Sequence, residues 1–244
     1  MGKWIDGHSG SRLTTARSDD LLDVRLSHGP VNALDAAAYR EIHDVFTEVS
    51  VTSDIGVVLL LGDRACFSAG QDITEASAIS KDSEAYLLAA AEALLSVTIS
   101  PAIVVAGVQR FAIGAGLILA TSADLLVLDE AAQLSLPELK YGVAAGAAHV
   151  SRWIGATAGQ RAFLTGVPIE PSALARAGAT IVSGSQVAPT ARAIAEQQAS
   201  YGASTARMAK SIAARERLTL AERYRSEIRT TIAARLMDFS PSAQ

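Results

Sequence analysis

A single cysteine, Cys66, stands among 244 residues. The chain can form no internal disulfide, which fits a reducing compartment. Long apolar runs are also missing. Residues 55–61 (IGVVLLL) and 102–108 (AIVVAGV) fall far short of the roughly 20 residues a bilayer crossing needs. The opening stretch MGKWIDGHSGSR has no continuous apolar segment after its basic residue, so no secretory signal is expected there. Charge of one sign is scarce. The formal net charge is −4 and the pI near 5.6, so nothing global attracts nucleic acid or an anionic membrane. A cytoplasmic setting is expected.

Several chemical signatures are absent as well. The four histidines, His8, His28, His43 and His149, show no metal-ligand spacing, and no second cysteine is available as a ligand, so no metal site is expected. Neither G-x-G-x-x-G nor G-x-x-x-x-G-K-[ST] occurs, which removes the common nucleotide loops and leaves AIGAGLILA without that role. No G-x-S-x-G elbow occurs, and Ser68 has no evident base nearby in sequence, so a serine hydrolase has little support.

What the chain does have is core material: half the residues are apolar and 19% are charged. Residues 21–27 (LLDVRLS) alternate apolar and charged side chains, as a half-buried strand does. Residues before them are polar and mixed, fit for disorder or a short edge hairpin. Asp35 suits an N-cap, and Ala36, Tyr39, Ile42, Phe46 and Val49 then line one helical face. The runs at 55–61, 102–108 and 124–128 (DLLVL) read as strands buried on both faces. Helical stretches at 83–97 and 114–121 lie between them. Alternating strands and helices predict an α/β core with parallel pairing. From residue 188 the pattern turns alanine- and arginine-rich and wholly helical, at 188–200, 204–214 and 218–236. A division is therefore expected between an α/β core, 1–187, and a helical region, 188–244.

Two loops follow buried strands: GDRACFSAGQD at 62–72 and RFAIGAG at 110–116. Small residues let a backbone approach a ligand, and the first N–H groups of a helix lack internal partners. Such donors suit an oxygen that gains negative charge. Alone, each loop serves plain packing equally well.

Together with their surroundings the loops form an ordered set. FSAGQDI, PAIVVAGVQRFAIGAGLILATSADLLVLDEAAQLSLPELKYGV, GPVNALD and LTGVPIEPSALARAGATIV stand in this chain. Over roughly residues 20–185 they resemble the enoyl-CoA hydratase/isomerase family, the crotonase superfamily. The resemblance implies a right-handed ββα spiral with a helical C-terminal assembly region. It implies an acyl-CoA thioester as substrate, with coenzyme A arriving as part of that substrate and no separate cofactor.

Carried over by position, the resemblance gives the oxyanion hole to the backbone N–H groups of Gln71 and Ala115. Ala69, Gly70, Gly114 and Ile118 would line the substrate site. Water-adding members use two glutamates. Here the first position holds Ile118 and the second Glu138. Hydration divides its labour between paired acid/base groups, and an isoleucine can do neither part. Moving a double bond needs one base, and isomerases of the family resemble this arrangement, some sharing the PVN-x-L pattern of residues 30–34. Glu138 is thus expected as sole catalytic carboxylate, with a pKa raised by an apolar wall. Enoyl-CoA isomerisation is the expected reaction. Hydration, cleavage of a β-diketone by His149 and a silent acyl-CoA-binding subunit are the alternatives. His149 is otherwise read as packing on the helix that follows the 143–148 turn, Asp72 as the cap of a helix from Ile73, and Asp124 and Cys66 as packing or surface positions.

One departure touches coenzyme A: Pro30 and Val31 stand where the family often has a basic residue for the phosphates, leaving Arg64 or arginines of the helical region as substitutes. The helical region shows an apolar stripe through Ile212, Leu218, Ile228, Ile232 and Leu236, which must be covered. With the resemblance, this predicts a homotrimer or a hexamer built as a dimer of trimers. Light scattering at micromolar concentration is expected to give one of those masses, and a stable monomer would overturn the expectation.

Overall fold

The structure, a computed structural model, describes residues 4–63, 66–78 and 83–235. Arg64 and Leu236 lie outside the described residues. A six-stranded sheet runs in the order β1-β2-β3-β4-β6-β8, with β1 (Leu13–Ser18), β2 (Leu21–Leu26), β3 (Val57–Gly62), β4 (Ile103–Val108), β6 (Leu125–Asp129) and β8 (Thr180–Val182). Only β1 pairs antiparallel; the other neighbours are parallel. A second, two-stranded sheet joins β5 (Phe111–Ile113) to β7 (Gln133–Ser135). An α/β core with parallel pairing is what the continuous β-branched runs predicted. The N-terminal segment is the edge hairpin, held by the Glu41 carboxylate, which accepts from the N–H groups of Ser11, Arg12 and Leu13.

Every residue of β3 is buried, and alternate side chains enter two different cores, as a period of two requires. Val58 and Leu60 face α1 (Ala36–Val51), α3 (Ser83–Thr98) and α4 (Ala115–Thr121). Asp35 caps α1 as expected, accepting from the Ala38 N–H at 2.8 Å. Val57, Leu59 and Leu61 face the opposite layer, where Val187, Ala191 and Ala195 of α8 (Val187–Ala199) meet Ala206 of α9 (Ala203–Ile212). Small side chains let α8 lie close: a Cβ on Gly107 of β4 would stand 3.2 Å from the Ala191 methyl. Each fully buried Val or Leu contributes about 1.5–3 kcal/mol. The composition break near residue 188 marks a change of element type, and the packing runs across it.

The apolar stripe of the helical region divides. Ile228 of α10 (Ala214–Ala234) is buried in the first core and Ile232 packs against it, whereas Ile212 and Leu218 are 81% and 58% exposed. Ile212 belongs to α9, whereas Leu218 stands on α10 itself but on another face from Ile228, because a helix turns about 100° per residue. No helix of the described residues is long and apolar enough to cross a membrane.

Asp124, read as packing or surface, is instead a junction. Its carboxylate accepts from the Val104 N–H of β4 at 2.8 Å and pairs with Lys210 of α9 and Arg217 of α10. Arg217 also donates to the Ser122 carbonyl, and Arg152 donates to Thr121 and Ala123 carbonyls. The carbonyl end of α4 is therefore covered by cations, the sign its dipole favours. Both cationic side chains on Asp124 are almost fully buried, so removing the carboxylate strands them in a dry setting. Asp124→Asn is expected to cost about 3–5 kcal/mol of folding stability, read as a lowered urea midpoint. A loss under about 1 kcal/mol, the range of surface pairs, would show that the junction is not needed.

Candidate active site

The loop after β3 is fixed by Asn32 and Ser68. The Asn32 carboxamide donates to the carbonyls of Asp63, Cys66 and Phe67 and accepts from the His28 N–H. The Ser68 hydroxyl donates to the Asn32 carbonyl at 2.7 Å and accepts from the Gly70 N–H at 3.1 Å. Backbone bonds then join this loop to β5: the Ser68 N–H donates to Phe111, and the Ile113 N–H donates to Ser68. Gly70 sits at φ +88°, and a Cβ there would stand 2.4 Å from the Ile113 carbonyl oxygen and 3.4 Å from the Ala115 nitrogen. A side chain at residue 70 would push the two loops apart.

Among the donors this joinery leaves open are those of Gln71 and Ala115. In the parallel bridge between Leu34 and Gln71, the bonds run from Leu34 N–H to Gly70 and from Asp72 N–H to Leu34. The Gln71 N–H faces the other way, and among the described residues it meets no acceptor. Ala115 opens α4, where an N–H has no intrahelical partner, and it too meets none. Gly114 between them has φ +55° and donates to the Ser135 carbonyl at 2.9 Å.

Glu138 follows Pro137 as the first residue of a short 3-10 turn, Glu138–Tyr141, which aims its carboxylate back at Gly114. A Cβ on Gly114 would stand 2.5 Å from Glu138 Oε1. The residue as a whole is half-buried, but Oε2 is shut from solvent and has no hydrogen-bond partner. Burial pushes its pKa up to about 8. Ala69, Gln71, Ile73, Ile113, Gly114 and Glu138 share the wall of one cavity of about 100 Å³, with Pro137, Tyr141 and Val143.

Of the sequence-predicted residues, then, Ala69, Gln71, Gly114 and Glu138 line this cavity, and Gly70 and Ala115 abut it through the loops. Ile118 lies elsewhere: it is 2% exposed in the core, beneath Gly146, and does not line the cavity. Asp72 accepts from Thr74 and Glu75, as a cap does. Cys66 is buried. His149 is likewise away from the cavity. Its Nε2 lies 3.0 Å from the Thr98 hydroxyl and its ring meets Tyr224 edge-on. Burial, then the nearby Arg152, lowers its pKa to about 3, so it is a neutral core residue. Sequence reasoning missed Tyr141 and Val143 on the wall, and Asn32 and Ser68 behind it. The first two stand in LPELKYGV, beside the residue that was found. Among the described residues no group of three or more His, Cys, Asp or Glu side chains could hold a metal.

The chain is similar to known proteins in sequence and in fold. The family model described as "Enoyl-CoA hydratase/isomerase" matches residues 17–238. A protein named "Probable enoyl-CoA hydratase echA8" from Mycobacterium leprae is 31% identical over 186 residues, covering 74% of this chain and 72% of that one. The (7aS)-7a-methyl-1,5-dioxo-2,3,5,6,7,7a-hexahydro-1H-indene-carboxyl-CoA hydrolase of Mycobacterium tuberculosis is 28% identical over 204 residues, 81% of each chain. In fold, the chain is similar to the crystal structure of an enoyl-CoA hydratase/isomerase from Xanthobacter autotrophicus, with a TM-score of 0.82 at 19% identity, over 92% of this chain and 87% of that one.

The raised pKa of Glu138 makes stability depend on pH. Between about 4.5 and about 8 the unfolded chain is ionised at this residue while the folded site still holds its proton. The unfolded state then binds fewer protons, so stability falls as pH rises, and this contribution levels off above the folded pKa. Glu138→Gln removes it. The denaturant midpoint of the wild type is expected to fall steadily below that of the variant across this window. A gap that does not change with pH would show that the carboxyl is not held protonated.

Proposed function

The chain belongs to the enoyl-CoA hydratase/isomerase family, and from that premise we propose that it shifts the double bond of an enoyl-CoA thioester with Glu138 as sole base. The observation that carries this reading is one unpartnered buried carboxylate beside two open backbone donors, with no second carboxylate on the cavity wall among the described residues.

In this reading the thioester oxygen accepts from the Gln71 and Ala115 N–H groups. Those donors stabilise the charge that arrives when an α-proton leaves. Glu138 takes the proton from C2 of a 3-enoyl chain, the electron pair spreads from the oxygen to C4, and the same carboxyl returns the proton to C4. The double bond then lies between C2 and C3, and the base is restored. Burial suits this role, because a carboxylate with a pKa near 8 takes a carbon-bound proton more readily than an ordinary one. Backbone donors depend little on side-chain type, so Gln71 and Ala115 need not be smaller residues.

Hydration is the second reading, since several relatives carry hydratase names. Against it stands Ile118, whose side chain can neither take nor give a proton and is packed in the core. Diketone cleavage by His149 is not supported, because that ring is enclosed by Thr98 and Tyr224.

The test follows the conjugated 2-enoyl thioester formed from a 3-enoyl-CoA, with chromatography to separate isomers from any hydrated product. Glu138→Gln is expected to lower turnover by about 10²–10⁴-fold while acyl-CoA affinity changes little, since the backbone donors remain. Wild-type kcat/KM should rise with pH up to about 8, because only the ionised carboxyl accepts a proton. A variant with wild-type turnover would remove Glu138 from the mechanism, and a wild type that binds without reacting would mark a silent acyl-CoA-binding subunit.

A further inference from the structure

Leu218, left exposed on α10, borders a second cavity. It has a volume of about 210 Å³ and lies where α9 and the start of α10 pass the segment that precedes β4. Ile99, Pro101, Arg207, Lys210, Arg217 and Leu218 stand on its wall, and it shares no residue with the cavity at Glu138.

Three of those side chains are cations, and among the described residues no carboxylate joins them on the wall. Lys210 and Arg217 are 6% and 5% exposed, and they share one counter-ion, Asp124. Arg152, which donates to the Ala123 carbonyl beside Asp124, adds a further positive charge. Positive charge therefore exceeds negative in a poorly solvating place, where cations repel strongly and one more anion is favoured. Donors are to spare as well. The Lys210 ammonium has three N–H groups and, among the described residues, one acceptor, the Asp124 carboxylate. Arg217 is fixed by the Ser122 carbonyl in addition to Asp124. Arg207 differs, since it donates to the carbonyls of Val49, Thr52 and Ile55 and contributes charge alone.

The rest of the wall has the opposite character. Ile99 and Leu218 are 43% and 58% exposed, and covering them would remove apolar area from water. Such a site suits a ligand with one negative end and a short apolar body. The volume corresponds to about seven groups the size of a water molecule, about the number of non-hydrogen atoms in pentanoate. A coenzyme A thioester is far larger.

We propose that this cavity binds a short unesterified aliphatic carboxylate, its charged end received by Lys210 and Arg217 and its chain lying against Ile99, Pro101 and Leu218. The inference is independent of the reaction at Glu138.

The experiment measures the affinities of pentanoate, pentanamide and inorganic phosphate for the full chain by magnetic resonance of each ligand. Pentanoate should bind about tenfold or more tighter than pentanamide, which has the same shape and no charge, because charge-assisted hydrogen bonds are the stronger ones. It should also exceed phosphate, which has charge and no chain. Leu218→Glu brings a carboxylate of the chain's own to the exposed rim, where it competes for the cations, and should weaken pentanoate about tenfold or more. Leu218→Gln, equal in size and neutral, should weaken it by no more than about threefold. Light scattering should give one mass with and without pentanoate. Pentanamide binding as well as pentanoate would mark a merely apolar groove, and phosphate doing so a bare cationic patch; either overturns the proposal. Pentanoate affinity unmoved by Leu218→Glu would put the acid elsewhere and overturn it too. So would no binding up to about 10 mM, weaker than a ligand of this size should be in a fitted site. A mass that falls as pentanoate binds would make a second copy of the chain the occupant, and the proposal fails.

Discussion

The site depends on the close approach of Gly70 to the carbonyl of Ile113. Because no Cβ intervenes, the loop after β3 and the segment before α4 can share backbone hydrogen bonds through Ser68. That sharing occupies the N–H groups of Ser68 and Ile113. Those of Gln71 and Ala115 stay open because the bridge geometry turns one away and the helix start leaves the other without an acceptor. A backbone donor held in this way cannot swing aside to solvate itself, which is what makes it effective toward a developing oxyanion. The rigidity extends outward through Asn32, whose one carboxamide ties three carbonyls of the loop.

Against that well-bonded frame the cavity itself is under-bonded. Glu138 Oε2 and Gln71 Nε2 are left without partners in a fold that otherwise satisfies its loops carefully. Natural proteins tolerate such costs where a ligand recovers them. Tyr39, fully buried with its hydroxyl also unpartnered, and Tyr224 are kept from ionising by burial first, and the charge of Glu138 adds to it. Burial keeps the proton on the Glu138 carboxyl at pH values where an exposed glutamate has lost it.

What could be read from the sequence followed physical locality. The runs that form β3 and β4 announced themselves, since a strand buried on both faces must be apolar throughout, and the Asp35 cap acts within three residues of itself. The short strands β5, β7 and β8, three residues each, carry too few side chains to show a period. Glu138 was legible only through the ordered motifs around it, because nothing in its own neighbours distinguishes it from a surface glutamate. Asp124 was illegible for another reason: its partners Lys210 and Arg217 lie 86 and 93 residues away, and a lone aspartate before a strand gives no hint of them. His149 looked like possible chemistry because histidine can always be chemistry. Its place in the core came from Thr98 and Tyr224, which no spacing rule connects to it.

Finally, the way α8 and α9 cover the sheet sets an order of events in the cell. The strands β3 and β4 are made long before residues 187–206, yet Val57, Leu59, Leu61 and Val105 pack in the layer that those residues complete. Chains emerge from the ribosome at about 5–20 residues per second and fold from the N-terminal side. For several seconds, then, the side chains of β3 and β4 that belong to this layer have been made while their partners in α8 and α9 have not. Apolar surface bare in such an interval is what makes an incomplete chain prone to aggregate.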